Sequence, residues 1–328
     1  MDKNLGFGNL DSVSITILVD NYANLIVESS DSIKYFKDKP LLAEHGFSAL
    51  IQIPDSGINI LWDAGISNIA LMENISRLGI NPKTIQKIAL SHGHGDHYSA
   101  ITDFLRSMEL ESEPKEWDEP FTSRDILNWK SEKYVPLIVH PAAFRERWWT
   151  KDDGTKVGPL PIPPRIEWES LGAKIVLSSE PYSLVSGCWT TGYVPRRSFE
   201  KSGRPTNLLY RDGDDFFHDD LDEDQAIVIN IKQKGLVVLS GCAHAGIINT
   251  IKRAREISGI DQVYAVLGGF HLARSNEKEI QQTISVFKEL NPKILIPCHC
   301  TGFQAMCAIA QHLPDQFHHG VVGATYMF

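Results

Sequence analysis

Residues 91–97 read Ser91-His92-Gly93-His94-Gly95-Asp96-His97, directly after the apolar run Ile88-Ala89-Leu90. Imidazole nitrogen and carboxylate oxygen are the donors that borderline divalent metals such as zinc prefer. His92 and His94 are two apart, so on extended chain they share one side and reach one metal. Asp96 and His97 follow the bend and reach a second metal beside it. Gly93 and Gly95 let the backbone turn tightly enough for the four side chains to converge. Two metals roughly 3.5–4 Å apart share a bridging hydroxide and activate it near neutral pH. The competing reading, a polar histidine-rich loop without metal, is disfavoured by the spacing. The segment points to a metal-dependent enzyme with two divalent ions, zinc first and manganese or iron as alternatives. Asp96 is then a catalytic as well as a ligating group.

The rest of the chain bounds this reading. Its 328 residues suit one α/β domain built of two halves sharing a core. A net charge of −9 disfavours nucleic acid or an anionic membrane as partner and leaves a small molecule. Five cysteines (Cys188, Cys242, Cys298, Cys300, Cys307) form no regular framework, which argues against a disulfide-stapled secreted domain. The start Met1-Asp2-Lys3-Asn4 is polar and no stretch approaches the roughly 18 apolar residues of a membrane span. The expectation is a cytoplasmic protein; the oligomeric state stays open.

Apolar periodicity gives strands at 13–19, 85–90, 135–139, 174–177, 189–193, 262–267 and 294–296. Hairpins are expected at 47–53 with 58–62, around Pro54-Asp55-Ser56-Gly57, and at 226–231 with 235–239. Helices are expected at 67–78, 98–108, 247–257, 276–290 and 303–312, with another starting within 141–149. The acidic stretch 109–133, with Pro114, Pro120, Trp117, Phe121 and Trp129, reads as an insertion or lid. Residues 151–169 read as loop and 196–222 as irregular. Each half carries a hairpin that ends near polar residues, then a helix, then another strand. The simplest architecture is α/β: two mixed sheets face to face with helices outside, a four-layer αββα sandwich.

The segment at 92–97 resembles the His-x-His-x-Asp-His signature of the metallo-β-lactamase superfamily. Leu61-Trp62-Asp63-Ala64-Gly65 is similar to that superfamily's earlier motif, whose aspartate supports the ligand loop from behind; the resemblance gives Asp63 this role. It also implies further ligands at strand ends in the second half, namely His244 in Ser240-Gly241-Cys242-Ala243-His244 and His299 in Pro297-Cys298-His299-Cys300-Thr301-Gly302. Two departures qualify it. Thr190-Thr191-Gly192-Tyr193 lacks the histidine of many hydrolases in the superfamily, and Cys242 stands in place of their bridging aspartate. Cys242 reads either as a thiolate ligand or as an inert buried thiol; Cys298 and Cys300 read as structural.

These departures, with Glu44-His45-Gly46-Phe47-Ser48, Thr191-Gly192-Tyr193-Val194-Pro195-Arg196 and Gly268-Gly269-Phe270-His271-Leu272, resemble one branch of the superfamily. Its namesake is the dihydropterin–ribofuranosylaminobenzene 5′-phosphate synthase of archaeal methanopterin biosynthesis. The resemblance implies a transferase that joins a dihydropterin methyl diphosphate to an arylamine, with diphosphate leaving. It makes the substrate phosphorylated and pterin-like, with Arg196 as a phosphate contact and His45 and His271 as substrate-side groups, His271 also as a proton donor. The alternatives are a binuclear hydrolase of a phosphodiester, lactone or thioester, and a non-catalytic metal or ligand sensor.

Overall fold

The computed structural model describes residues 6–109, 122–124, 134–201 and 203–328. Apart from Glu109 and residues 122–124, the expected insertion at 109–133 lies outside them. The first sheet has eight strands in the order β2 (Ile33–Tyr35), β18 (Ala324–Met327), β1 (Ser14–Val19), β3 (Ser48–Ile53), β4 (Ile58–Trp62), β5 (Lys87–Ala89), β6 (Val135–Val139) and β9 (Ala173–Leu177). The second has six, in the order β10 (Tyr182–Val185), β11 (Cys188–Thr190), β14 (Ala226–Ile231), β15 (Gly235–Ser240), β16 (Val263–Gly269) and β17 (Ile294–Cys298). Both are mixed: β4, β5, β6 and β9 run parallel, as do β15, β16 and β17, and the hairpin strands pair antiparallel.

The strands are apolar almost throughout because both of their faces are covered. In β1 Ile15 and Ile17 enter the core between the sheets, while Leu18 and Val19 face the helices outside. In β15 Val237 and Leu239 enter the same inter-sheet core, while Leu236 and Val238 point outward. Each such side chain contributes about 1.5–3 kcal/mol on burial, so a one-residue slip of register would lose several at once. Helices α1 (Asn68–Arg77), α2 (Gly95–Tyr98), α3 (Ile101–Ser107) and α4 (Arg165–Ser170) lie on the outer side of the first sheet. Helices α5 (Ile247–Ser258), α6 (Glu277–Leu290) and α7 (Phe303–His312) cover the second. This is the four-layer αββα arrangement. Among the described residues no helix is long and apolar enough to cross a membrane.

The sequence reading misses a third, four-stranded sheet, in the order β13 (Asp215–His218), β12 (Leu208–Asp212), β7 (Arg147–Thr150) and β8 (Lys156–Val157). The helix expected to start in 141–149 is a short 3-10 turn, Pro141–Phe144, followed by β7. Pro141 favours the start of a helical turn, but Trp148 and Trp149 favour extended chain and pair with β12. Residues 151–169 contain β8 and α4, and 196–222 contain β12 and β13. β2, β10 and β18 are also additions to the sequence reading.

The carboxyl ends of the parallel strands deliver the polar motifs. β4 leads to Asp63, β5 to His92, β15 to Cys242 and His244, β16 to His271, and β17 to His299. That edge is where open α/β sheets ordinarily hold ligands.

Candidate metal centre

His97 is fully buried and its Nδ1 lies 2.7 Å from Oδ2 of the equally buried Asp63. The same carboxylate accepts the Ser91 N–H and the Ser91 hydroxyl, both at 2.7 Å. Asp63 thus fixes the start of the histidine loop and the orientation of one of its rings. With Nδ1 donating to Asp63, Nε2 of His97 points to the centre, 3.1 Å from the Cys242 sulfur and 3.8 Å from Oδ2 of Asp96. His92 bonds Ser91 Oγ through Nδ1 at 2.9 Å, and His244 bonds the Gly203 carbonyl through Nδ1 at 3.2 Å. Their Nε2 atoms are buried without a hydrogen-bond partner. Buried polar atoms are ordinarily satisfied, so two orphaned imidazole nitrogens in one cluster suit the binding of a cation.

The rings converge from both sheets. His92 lies 4.6 Å from His94, 4.2 Å from His97 and 4.8 Å from His244, centroid to centroid, and His97 lies 5.1 Å from His299. Donor atoms of His92, Cys242 and His244 all fall within 4.8 Å of one another, and so do those of His97, Cys242 and His299. Cys242 belongs to both groups. Asp96 Oδ2 lies 3.3 Å from Nε2 of both His299 and His45. The backbone is held in the left-handed region at Asp63 (φ 56°), Ala243 (57°), His271 (50°) and His299 (46°). Such conformations are disfavoured for non-glycine residues and collect at functional sites.

Protonation suits ligation. Burial and the neighbouring imidazoles push His92 and His244 well below the usual histidine range, and burial takes His94 down to about 4. These rings are neutral, as ligands must be. Burial alone would raise Asp96, but His97 and His299 beside it hold it well below the carboxylate range, so it is ionised. Against the cost of burial, Asp63 and Asp96 raise His97 to about 9; its Nε2 proton must leave before that nitrogen can ligate.

The remaining expected residues lie at the rim. His45 is exposed, with its ring 5.0 Å from His299. His271 is partly buried, 4.2 Å from the His244 ring. Arg196 donates through its two terminal nitrogens to the carbonyls of His244 and Asp220. It therefore holds the backbone of His244, one of the expected ligands.

Several supporting residues were not singled out from the sequence. Asp20, at the end of β1, accepts the His299 N–H at 2.8 Å, and Asn21 Oδ1 lies 3.1 Å from His299 Nδ1. Buried Arg147, from the third sheet, pairs with Asp219 at 2.9 Å and Glu223 at 2.5 Å. The Gly93 N–H favours the ionised form of Glu223, which puts this carboxylate beside the turn between His92 and His94. A Cβ at Gly93 would stand 2.5 Å from the Ala143 carbonyl oxygen, so only glycine fits. Asp20 stands at a strand end as Asp63 does, a signal that was available; Arg147 offered none.

Comparison with known proteins agrees with this geometry. The sequence matches the family model of the metallo-beta-lactamase superfamily over residues 42–299. The chain belongs to that superfamily. It is 30% identical over 329 aligned positions to the 7,8-dihydropterin-6-methyl-4-(beta-D-ribofuranosyl)-aminobenzene-5′-phosphate synthase of Methanocaldococcus jannaschii, covering 99% of each chain. Among solved structures it is similar to Tm1679, described as a metal-dependent hydrolase of the beta-lactamase superfamily, with TM-score 0.69, 22% identity and coverage of 95% of this chain and 98% of that one. It is also similar to the metallo-beta-lactamase fold protein YhfI of Bacillus subtilis, with TM-score 0.54, 10% identity and coverage of 97% and 100%. At these identities the two structures speak for the superfamily fold, and the synthase is the relative that bears on function.

Proposed function

We propose that this chain is a metal-dependent transferase of the pterin-synthase type, joining a dihydropterin methyl diphosphate to an arylamine that bears ribose 5-phosphate. The observation that carries the reading is the similarity to the named synthase along the whole of both chains. His92, His94 and His244 would hold one divalent cation, and Asp96, His97 and His299 a second, with Cys242 between them. Zinc heads the choice; manganese and iron suit the same imidazole and carboxylate donors. Such cations act as Lewis acids on the oxygens of a departing diphosphate.

The chain's own groups do the rest. Asp63 and Asp20 orient His97 and His299 from behind. Ionised Asp96 reduces the positive charge of the centre, so that a highly charged diphosphate is neutralised there without being trapped. His45 and His271 flank the two ligand sets and are placed to hydrogen-bond phosphate or ring oxygens of the substrate. His271 is suited to donate a proton: burial lowers its proton affinity, but the sulfur of Cys300 and the carboxylate of Asp224 outweigh that and leave it raised.

The test is to supply both substrates and follow diphosphate. Release that requires the arylamine, with coupled product by mass, supports the transferase. Release from the pterin diphosphate alone, or turnover of chromogenic esters and phosphodiesters with added zinc or manganese, favours the hydrolase instead. Absence of all turnover in metal-loaded protein leaves the sensor reading in place of both.

A further inference from the structure

We propose that Cys300 and His271 join Cys242 in an additional seat for a thiophilic cation, beside the two-cation centre. This goes beyond the ligand sets above and does not depend on the reaction assigned to them. Donor atoms of Cys242, His271 and Cys300 all lie within 4.8 Å of one another, close enough for one cation to draw all three together. The Cys300 thiol donates to the Cys242 carbonyl oxygen at 3.4 Å, and its sulfur stands within 4.8 Å of a ring nitrogen of His271. The space between the two cysteines is kept open by Gly269, where a Cβ would stand 2.6 Å from the Cys300 sulfur and 3.2 Å from the Cys242 Cα. Cys242 is buried while Cys300 and His271 are partly exposed, so the seat opens toward solvent on one side.

The donor chemistry sets the selectivity. The two groups built mainly of imidazole and carboxylate accept zinc, manganese or iron alike. Two sulfurs and one imidazole instead select zinc, cadmium or cuprous copper over manganese. Because Cys242 is common to all three groups and His271 flanks His244, a cation in this seat takes two groups away from the working centre. Thiophilic cations in excess are therefore inhibitory, and a chelator that removes only the most weakly held ion relieves them.

The experiment uses the full chain, reduced and metal-free, with Cys307→Ser as background because that thiol is exposed. Equilibrium dialysis against cadmium and against manganese should load one more equivalent of cadmium. Adding Cys300→Ser should make the two loadings equal and reduce the thiolate-to-cadmium charge-transfer absorbance by about half, as one of two thiolates is lost. Equal loading of both metals in the background protein, or an unchanged absorbance in the Cys300→Ser protein, overturns the proposal. Should that variant fail to fold, cadmium-113 NMR of the background protein decides. A resonance in the range of two sulfur ligands supports the seat, and its absence overturns it. Fewer than two manganese equivalents would strike at the two-cation centre, yet leave the cadmium excess to be read separately.

Discussion

The Asp63 carboxylate does more than its exposure to a sequence motif conveys. It takes three hydrogen bonds, from His97, the Ser91 backbone and the Ser91 hydroxyl, each at 2.7 Å. Asp63→Asn is a clean probe, because asparagine tolerates the left-handed φ of 56° found there. Its amide turns a donor toward groups that themselves donate, so the His97 ring loses its fixed tautomer. Metal affinity is expected to fall about 10–100-fold with the fold retained, measured by competition with a chromophoric chelator; wild-type affinity would refute the role. Legibility at this scale follows sequence distance. His92 to His97 announce themselves because their donors are contiguous. The partners of His299 and Gly93 do not, since Asp20 meets His299 across 279 residues and Arg147 meets Glu223 across 76. Cys300, read as structural from the sequence, comes within reach of Cys242 and His271 because a 3-10 turn, His299–Thr301, follows β17.

At the scale of elements, the small third sheet owes its place to Arg147. Its strands were missed because β12 and β13 are short, polar at their ends and exposed, so the alternation that marks a half-buried strand is weak. β7 nevertheless carries an almost completely buried guanidinium into contact with two buried carboxylates behind the histidine loop. Removing one partner of such a cluster leaves uncompensated charge, so Arg147→Met should destabilise the protein by about 3–5 kcal/mol in urea unfolding. Arg147→Lys keeps the charge but cannot fork to both carboxylates, and should recover part of that loss. If Arg147→Met unfolds like wild type, the cluster does not brace the loop. The 3-10 turn before β7 gives a pH test. His140 caps it, its Nδ1 accepting the Ala142 N–H at 3.2 Å. Burial, with Arg145 and Arg147 nearby, lowers its pKa from 6.5 to about 4. Between those values the unfolded chain binds the extra proton, so this contribution to stability is complete above about pH 6.5 and is lost as pH falls toward 4. His140→Asn keeps a cap without the proton. Its unfolding free energy should therefore decline less than that of wild type between about pH 7 and pH 5; parallel declines would exclude His140 as the source.

For the whole molecule, the layered architecture was legible because its strands are apolar on both faces and its helices on one, a pattern that requires sheets stacked under helices. What the pattern leaves open is how the two sheets are tied at their polar edge, where the inter-sheet core of residues such as Ile17, Ile51, Leu239 and Ile296 gives way to histidines. The proposed ligand groups would tie them. His92, His94, Asp96 and His97 follow β5 of one sheet, and His244 and His299 follow β15 and β17 of the other. A cation bound by both sets would be lost when either sheet moves away, so its binding free energy would become stability of the whole molecule. At a free metal concentration of about 1,000 times the dissociation constant, one site adds about 4 kcal/mol, provided the unfolded chain does not compete. Metal-free protein should therefore melt several degrees below protein reloaded with zinc or manganese, in one transition rather than two. His244→Ala and His299→Ala should each remove about half of that shift, because each breaks one of the two cation sites from the same sheet. A double variant should melt at one temperature with or without metal. If instead both single variants keep the full shift, the cations are held by the 92–97 loop alone, and the edge between the sheets is closed by hydrogen bonds without them.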